Sequence, residues 1–129
     1  NKYVWNSADK KFLAIHGHQF DRFLHDNIII SHLAFFFYDL LKRFNPENFI
    51  VRQIKKRSRT WKRNSVEVAK GALRLGRAMG VDYVFCGHTH IINTAEDHGV
   101  KYYNTGSWVE KPSGFVIITG NEVKLVQVD

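Results

Sequence analysis

The spacing of apolar residues divides the chain into β-type ends and a helical middle. Residues 3–5 and 11–15 are short apolar runs around Asn6-Ser7-Ala8-Asp9, whose polar residues favour a turn, so the chain is expected to open as a hairpin. Over residues 27–44 the period becomes helical. Ile29, Ile30, Leu33, Phe36, Phe37, Leu40, Leu41 and Phe44 share one broad face, opposite Ser31, His32, Asp39, Lys42 and Arg43. Asn45-Pro46 ends or kinks that helix, because proline has no N–H and restricts the residue before it. Asn64 and Glu67 have capping-box spacing and predict a second helix through Met79, stopped by Gly80. On it, Lys70, Arg74 and Arg77 form an exposed ridge, and Ala69, Ala72, Leu73, Gly76 and Ala78 offer small surfaces for packing. A strand is expected over residues 81–85. Two hairpins should follow: 91–95 with 100–103 around Asp97-His98-Gly99, and 115–119 with 122–128 around Gly120-Asn121. The expected class is α/β.

Length adds that 129 residues suit one domain with its own core. Apolar residues make up 44% and aromatics 14%, which excludes a disordered chain. The low-charge part of the first helix, residues 27–41, is shorter than the roughly 20 residues a bilayer span needs. A single cysteine, Cys86, cannot close an internal disulfide, and no signal peptide is evident, so the expected location is cytoplasmic, with peripheral contact at the inner membrane face. The chain starts at Asn1 and enters a strand-like run at once, which reads as a piece of a longer protein.

Charge narrows the partners. The net charge is +7, and cations concentrate over residues 52–63, with Trp61 among them. Such a run fits either a solvated face or a site for phosphate, nucleic acid or acidic lipid.

The chemistry sits where strands are expected to end. Cys86-Gly87-His88-Thr89-His90 follows the 81–85 run, and Ile15-His16-Gly17-His18 repeats the pattern of apolar run, His, Gly and His. Neutral imidazoles clustered at two strand ends suit zinc, manganese or iron. Asp21, three residues beyond His18, fits either a partner that orients an imidazole or a helix N-cap. His98 belongs to a turn and reads as solvated. Asn104-Thr105-Gly106-Ser107-Trp108-Val109-Glu110 makes another polar, glycine-containing strand end.

Taken together and in order, His16-Gly17-His18, Gly87-His88-Thr89-His90 and the Asn104 to Glu110 motif, with a basic helical insertion between the first two, resemble the carboxy-terminal half of a calcineurin-like metallophosphoesterase. Within that superfamily the chain is most similar to the UDP-2,3-diacylglucosamine pyrophosphatase group. The resemblance implies a β-sandwich flanked by helices, with residues 1–129 forming one domain that includes a helical cap over about 22–63. It implies two divalent metals, manganese foremost with zinc or iron as alternatives, His16 and His88 serving one ion and His90 the other. The family's earlier motifs, Asp-x-His, Gly-Asp-x-x-Asp and Gly-Asn-His-Asp or Glu, do not occur here, so the chain should hold about half an active site and need the amino-terminal half as partner. Where His18 and Ser107 stand, the better-known enzymes of the group carry aspartate. His18 then fits a contact to substrate phosphate or a buttress behind the ligands.

The implied activity is hydrolysis of a phosphoester or pyrophosphate, on a UDP-diacylglucosamine-like or other lipid-linked substrate. Phe36 would receive an acyl chain, and Arg57, Arg59 and Lys62 the diphosphate. Two alternatives stay open: a phosphodiesterase of different substrate, and a non-catalytic basic domain that binds nucleic acid or an acidic partner.

Overall fold

A computed structural model of the chain describes residues 2–21, Leu33, Phe36, Phe37, Leu40, 59–109 and 111–128. Among these the order is β1 (Lys2–Ser7), β2 (Lys10–Ile15), a single 3-10 turn (His18–Phe20), α1 (Arg59–Ala78), β3 (Tyr83–Cys86), β4 (Ile92–Asp97), β5 (Val100–Thr105), β6 (Ser113–Thr119) and β7 (Glu122–Val128). The fold is α/β, as the apolar pattern requires. Strands β1 to β5 form one mixed sheet in the order β1-β2-β3-β5-β4, and β6 with β7 forms a separate two-stranded sheet. The central strands β2, β3 and β5 run parallel, and the outer strands β1 and β4 are antiparallel to their neighbours.

Period-two alternation gives the five-stranded sheet two unlike faces. Leu13, Ile15, Val84, Cys86, Val100 and Tyr102 point to one side and meet Val68, Ala69, Ala72 and Leu73 of α1, forming the buried core. Each such aliphatic side chain contributes about 1.5–3 kcal/mol on full burial. On the other face an aromatic ladder crosses four strands. Trp5 stacks on Phe12 with ring centroids 5.3 Å apart, Phe12 on Tyr83 at 5.1 Å, and Tyr83 on Tyr103 at 6.3 Å.

Helix α1 starts five residues earlier than its sequence suggests, at Arg59, so Asn64 lies inside it and the capping-box reading is corrected. The reason is its buried stripe. Trp61 is half-buried and Ser65 buried, which extends the Val68 and Ala72 stripe one turn toward the amino end. Glu67 makes an ion pair with Lys70 at 3.0 Å. Ala78, expected on the packed side, is exposed. At the other end Gly80, at φ 60°, donates to Arg77 O at 3.1 Å, and Val81 N–H reaches Gly76 O at 3.1 Å, the paired bonds of a Schellman stop. Lys11 Nζ adds a cation to the terminal carbonyls, 3.0 Å from Met79 O.

The hairpins fall where the turn residues place them, with longer strands than the apolar runs alone mark. Strand β3 begins at Tyr83 because Val81 and Asp82 are spent on the connection. Most of the expected helix over 27–44, the proline that ends it, and most of the 22–63 cap lie outside the described residues. Leu33, Phe36, Phe37 and Leu40 are helical and 41% to 66% exposed. Among the described residues, no helix is long and apolar enough to cross a membrane.

Two residues give tests of this frame. Ala8 holds φ 51° in the exposed β1–β2 turn, a conformation that costs a residue with a Cβ about 1–2 kcal/mol. Replacing it with glycine, less the added unfolded-state entropy, should stabilise the protein by about 0.5–1 kcal/mol, read as a rise in Tm.

Asp82 ties three strands: its carboxylate accepts Lys11 N–H at 2.8 Å, its N–H donates to Lys11 O at 2.8 Å, and its carbonyl accepts Lys101 N–H at 2.9 Å. The Lys11 hydrogen bond, assisted by Lys10, holds the carboxyl below its usual range against a smaller opposing effect of burial. A depressed folded-state pKa stabilises above the unfolded value, about 3.9, and that stability is lost as pH falls through the folded value. Asp82→Ala should cost about 1 kcal/mol at neutral pH, discounted for the carboxylate's exposure. Urea melts should show the gap from wild type narrowing below about pH 4.

Candidate functional site

Because β2, β3 and β5 are parallel and in register, with Ile15 opposite Cys86 and Cys86 opposite Asn104, their carboxyl ends open on the same edge of the sheet. That edge is where open α/β sheets place their sites. His16-Gly17-His18 leaves β2 there, Gly87-His88-Thr89-His90 leaves β3, and Asn104 lies at the end of β5.

Gly17 makes the close approach of the first two loops possible. It is buried at φ 99°, and a Cβ there would run into Cys86 Sγ. His16 O then accepts Gly87 N–H at 3.3 Å, and Cys86 Sγ lies 3.5 Å from the same oxygen. The ring of His16 stands edge-on to that of His88 with centroids 5.2 Å apart, and the His18 ring lies 5.5 Å from that of His16.

This clustering governs charge. Loss of some hydrating water to the neighbouring protein atoms, followed by the nearby His88, His18 and His90 imidazoles, pushes the pKa of His16 below its ordinary value, which favours the neutral ring. Asp21 takes the orienting role of its two sequence readings. It is 7% exposed, and its Oδ2 lies 2.6 Å from His88 Nε2. In the neutral ring, a hydrogen bond from Nε2 of His88 to that carboxylate leaves the lone pair on Nδ1.

His88 is mostly buried, whereas His16, His18 and His90 are exposed. His90 stays close enough to influence His16 electrostatically. The donor chemistry, clustered imidazoles with a carboxylate bracing one of them, suits a divalent metal. Yet among the described residues no group of three or more His, Cys, Asp and Glu side chains is placed to hold an ion by itself. The fit is that of an incomplete site.

Other sequence candidates lie elsewhere or beyond view. His98 sits in the β4–β5 turn, 67% exposed, with Nε2 3.7 Å from Asp97 Oδ1. Lys62 is exposed on α1. Phe36 is 66% exposed, its ring 6.1 Å from that of Phe37. Arg57 and the Arg59 side chain are outside the described residues. A cleft of about 260 Å³ lies beside the 3-10 turn, lined by Gln19, Phe20, Glu67, Gly71 and Arg74.

Sequence reasoning did not single out the buried polar layer beneath the loops. Asn104, fully buried, donates from Nδ2 to Gly87 O at 2.7 Å and Thr89 Oγ1 at 3.0 Å, and lies 3.2 Å from the Tyr102 hydroxyl. Its Oδ1 accepts Gly106 N–H at 3.0 Å. The available signal was an asparagine ending an alternating strand at a core-facing position, where an unpaired amide would be costly.

No protein-family model and no curated protein sequence matches the chain. Solved structures with a similar course of chain include Vps29 complexed with zinc from Entamoeba histolytica, at 18% identity and TM-score 0.45, covering 100% of this chain and 60% of that one. Vacuolar protein sorting 29 from Cryptosporidium parvum matches at 13% identity and TM-score 0.43, covering 98% and 55%. A conserved uncharacterized protein described as a predicted phosphoesterase, from Streptococcus pneumoniae TIGR4, matches at 10% identity and TM-score 0.44, covering 98% and 62%. The chain thus spans about three fifths of the length of these proteins.

The site's packing gives a direct chemical test. Burial pushes the Cys86 thiol up to about 11. In the folded protein at pH 8 its reaction with a thiol reagent should be slower than in the unfolded chain by roughly two orders of magnitude, and denaturant should restore the rate.

Proposed function

We propose that this chain carries the histidine half of a metal-dependent phosphoester hydrolase. The observation that supports this most is the convergence of two parallel strand ends that bring His16 and His88 into ring contact, with Asp21 hydrogen-bonded to His88. The sequence motifs at those two ends and at Asn104 to Glu110 point the same way. In this reading His16 and His88 serve one of two divalent ions, manganese foremost, and His90 the other, the remaining ligands coming from an amino-terminal half.

When bound, such ions supply Lewis acidity toward phosphoryl oxygens and acidify water. This chain's residues prepare that chemistry. The neutral His16 ring keeps a lone pair available, Asp21 fixes the tautomer of His88, and His18 stands beside His16 where it can meet a substrate phosphate or buttress its neighbour.

For substrate we propose a phosphorylated lipid of the UDP-diacylglucosamine kind, handled at the inner face of a membrane. Leu33, Phe36, Phe37 and Leu40, spaced i, i+3, i+4 and i+7, are exposed apolar residues. The basic run that includes Arg57, Arg59 and Lys62 follows in the same insertion. An amphiphile with an acyl tail and a phosphate head needs both. The nucleic-acid alternative has less support from the exposed ridge of α1, since Lys70 is paired with Glu67 and Arg77 with Asp97 at 3.2 Å.

Calorimetric titration of the 129-residue chain with Mn²⁺ or Zn²⁺ should show weak binding that His16→Ala or His88→Ala lowers at least about tenfold. The chain alone should turn over phosphoesters poorly. Robust metal-dependent turnover lost in His88→Ala would mean that no partner half is needed. In a protein carrying both halves, Phe36→Asp should lower kcat/KM for long-tailed substrates selectively, because each buried methylene contributes about 0.8 kcal/mol. Equal loss on a soluble phosphodiester would end the lipid reading.

A further inference from the structure

The backbone at His88 is held in a conformation that its own chemistry disfavours. Its φ is 68° and that of His90 is 56°, both in the left-handed region that residues with a Cβ rarely enter. Thr89 N–H donates to Gly87 O at 2.8 Å across His88, closing a γ-turn of the positive-φ hand, the rarer and strained of the two. Strain of this kind persists only where the surroundings over-determine it.

Asn104 supplies that constraint. Its two amide hydrogens face Gly87 O and Thr89 Oγ1, so a single buried side chain bonds the residue before His88 and the residue after it. Its oxygen is occupied by Gly106 N–H, which sets the amide's orientation and leaves the NH₂ edge turned toward the turn. Tyr102 supports it with its hydroxyl, 3.2 Å from Nδ2. Asn104 touches neither imidazole through any of these bonds.

We infer that Asn104 is a positioning residue that holds the strained turn at His88 and so fixes the directions in which His88 and His90 leave the sheet. Its functional meaning rests on the metal-site reading above, but the clamp itself is a property of the metal-free chain. A merely structural asparagine, one that only satisfies buried polar groups at a strand end, would leave the turn in place when removed.

The test is backbone NMR on metal-free wild type, Asn104→Ala and Thr89→Val. In Asn104→Ala the β3 and β5 amides should stay protected from exchange. His88 and His90 should leave the positive-φ region, as read from couplings and chemical shifts, and the Thr89 amide should lose protection. Thr89→Val keeps the side-chain volume and removes one of the two anchors. It should partly release the same turn, and it decides the matter if Asn104→Ala does not fold. Retention of positive φ at His88 in the folded variants overturns the clamp. Zn²⁺ titration separates the two ideas: released turns with at least about tenfold weaker zinc binding support both. Released turns with unchanged zinc binding leave the clamp standing and overturn the metal-site reading.

Discussion

The parallel register of β2, β3 and β5 is the constraint from which the rest follows. Ile15, Cys86 and Asn104 stand side by side, so whatever follows each strand opens at the same height on the same edge. That register is held from one side by α1, whose Val68, Ala69, Ala72 and Leu73 pack on alternate strand residues. A shift by one residue would turn Leu13 and Ile15 away from the helix and break the core. The site therefore depends on the core for its position, and only its fine geometry depends on polar contacts.

Those polar contacts act on two things. Buried Asp21 holds the ring of His88, and Asn104, Tyr102 and Thr89 form a buried layer that determines where the loop's backbone runs. A buried network of this kind is valuable only when satisfied. Each polar side chain of this layer has a partner within hydrogen-bond distance, Cys86 included. The same burial that keeps Cys86 and Tyr102 un-ionised gives this layer a low local dielectric, in which hydrogen bonds hold direction well.

Much of this was legible from residue order. The two His-Gly-His and Gly-His-Thr-His strand ends were visible because an apolar run stops where the histidines begin, and turn pairs such as His98-Gly99 and Gly120-Asn121 announced the hairpins. The start of α1 was not, because Asn64 and Glu67 imitate a cap while the burial of Ser65, a polar residue, is a tertiary fact. The role of Asn104 was equally hidden. Its partners lie 15 and 17 residues away in sequence, and one of them is a backbone carbonyl that no side-chain pattern records. Asp21 stood between two readings until the fold brought it to a residue 67 positions distant.

The aromatic ladder on the far face has a consequence for how the chain assembles. Trp5 and Phe12 come from strands before the insertion and Tyr83 and Tyr103 from strands after it, and each ring lies nearly parallel to the next, at 15°, 17° and 26°. The β1–β2 hairpin can form locally, with Trp5 already on Phe12, before β3 is in place. Docking of β3 then adds Tyr83 and Phe85, both of which stack on Phe12. Sequence-distant contacts of this sort are slow to find, because the loop between them must close first. The hairpin's rings offer β3 an aromatic face to dock on, and the histidine edge is complete only once that long loop has closed.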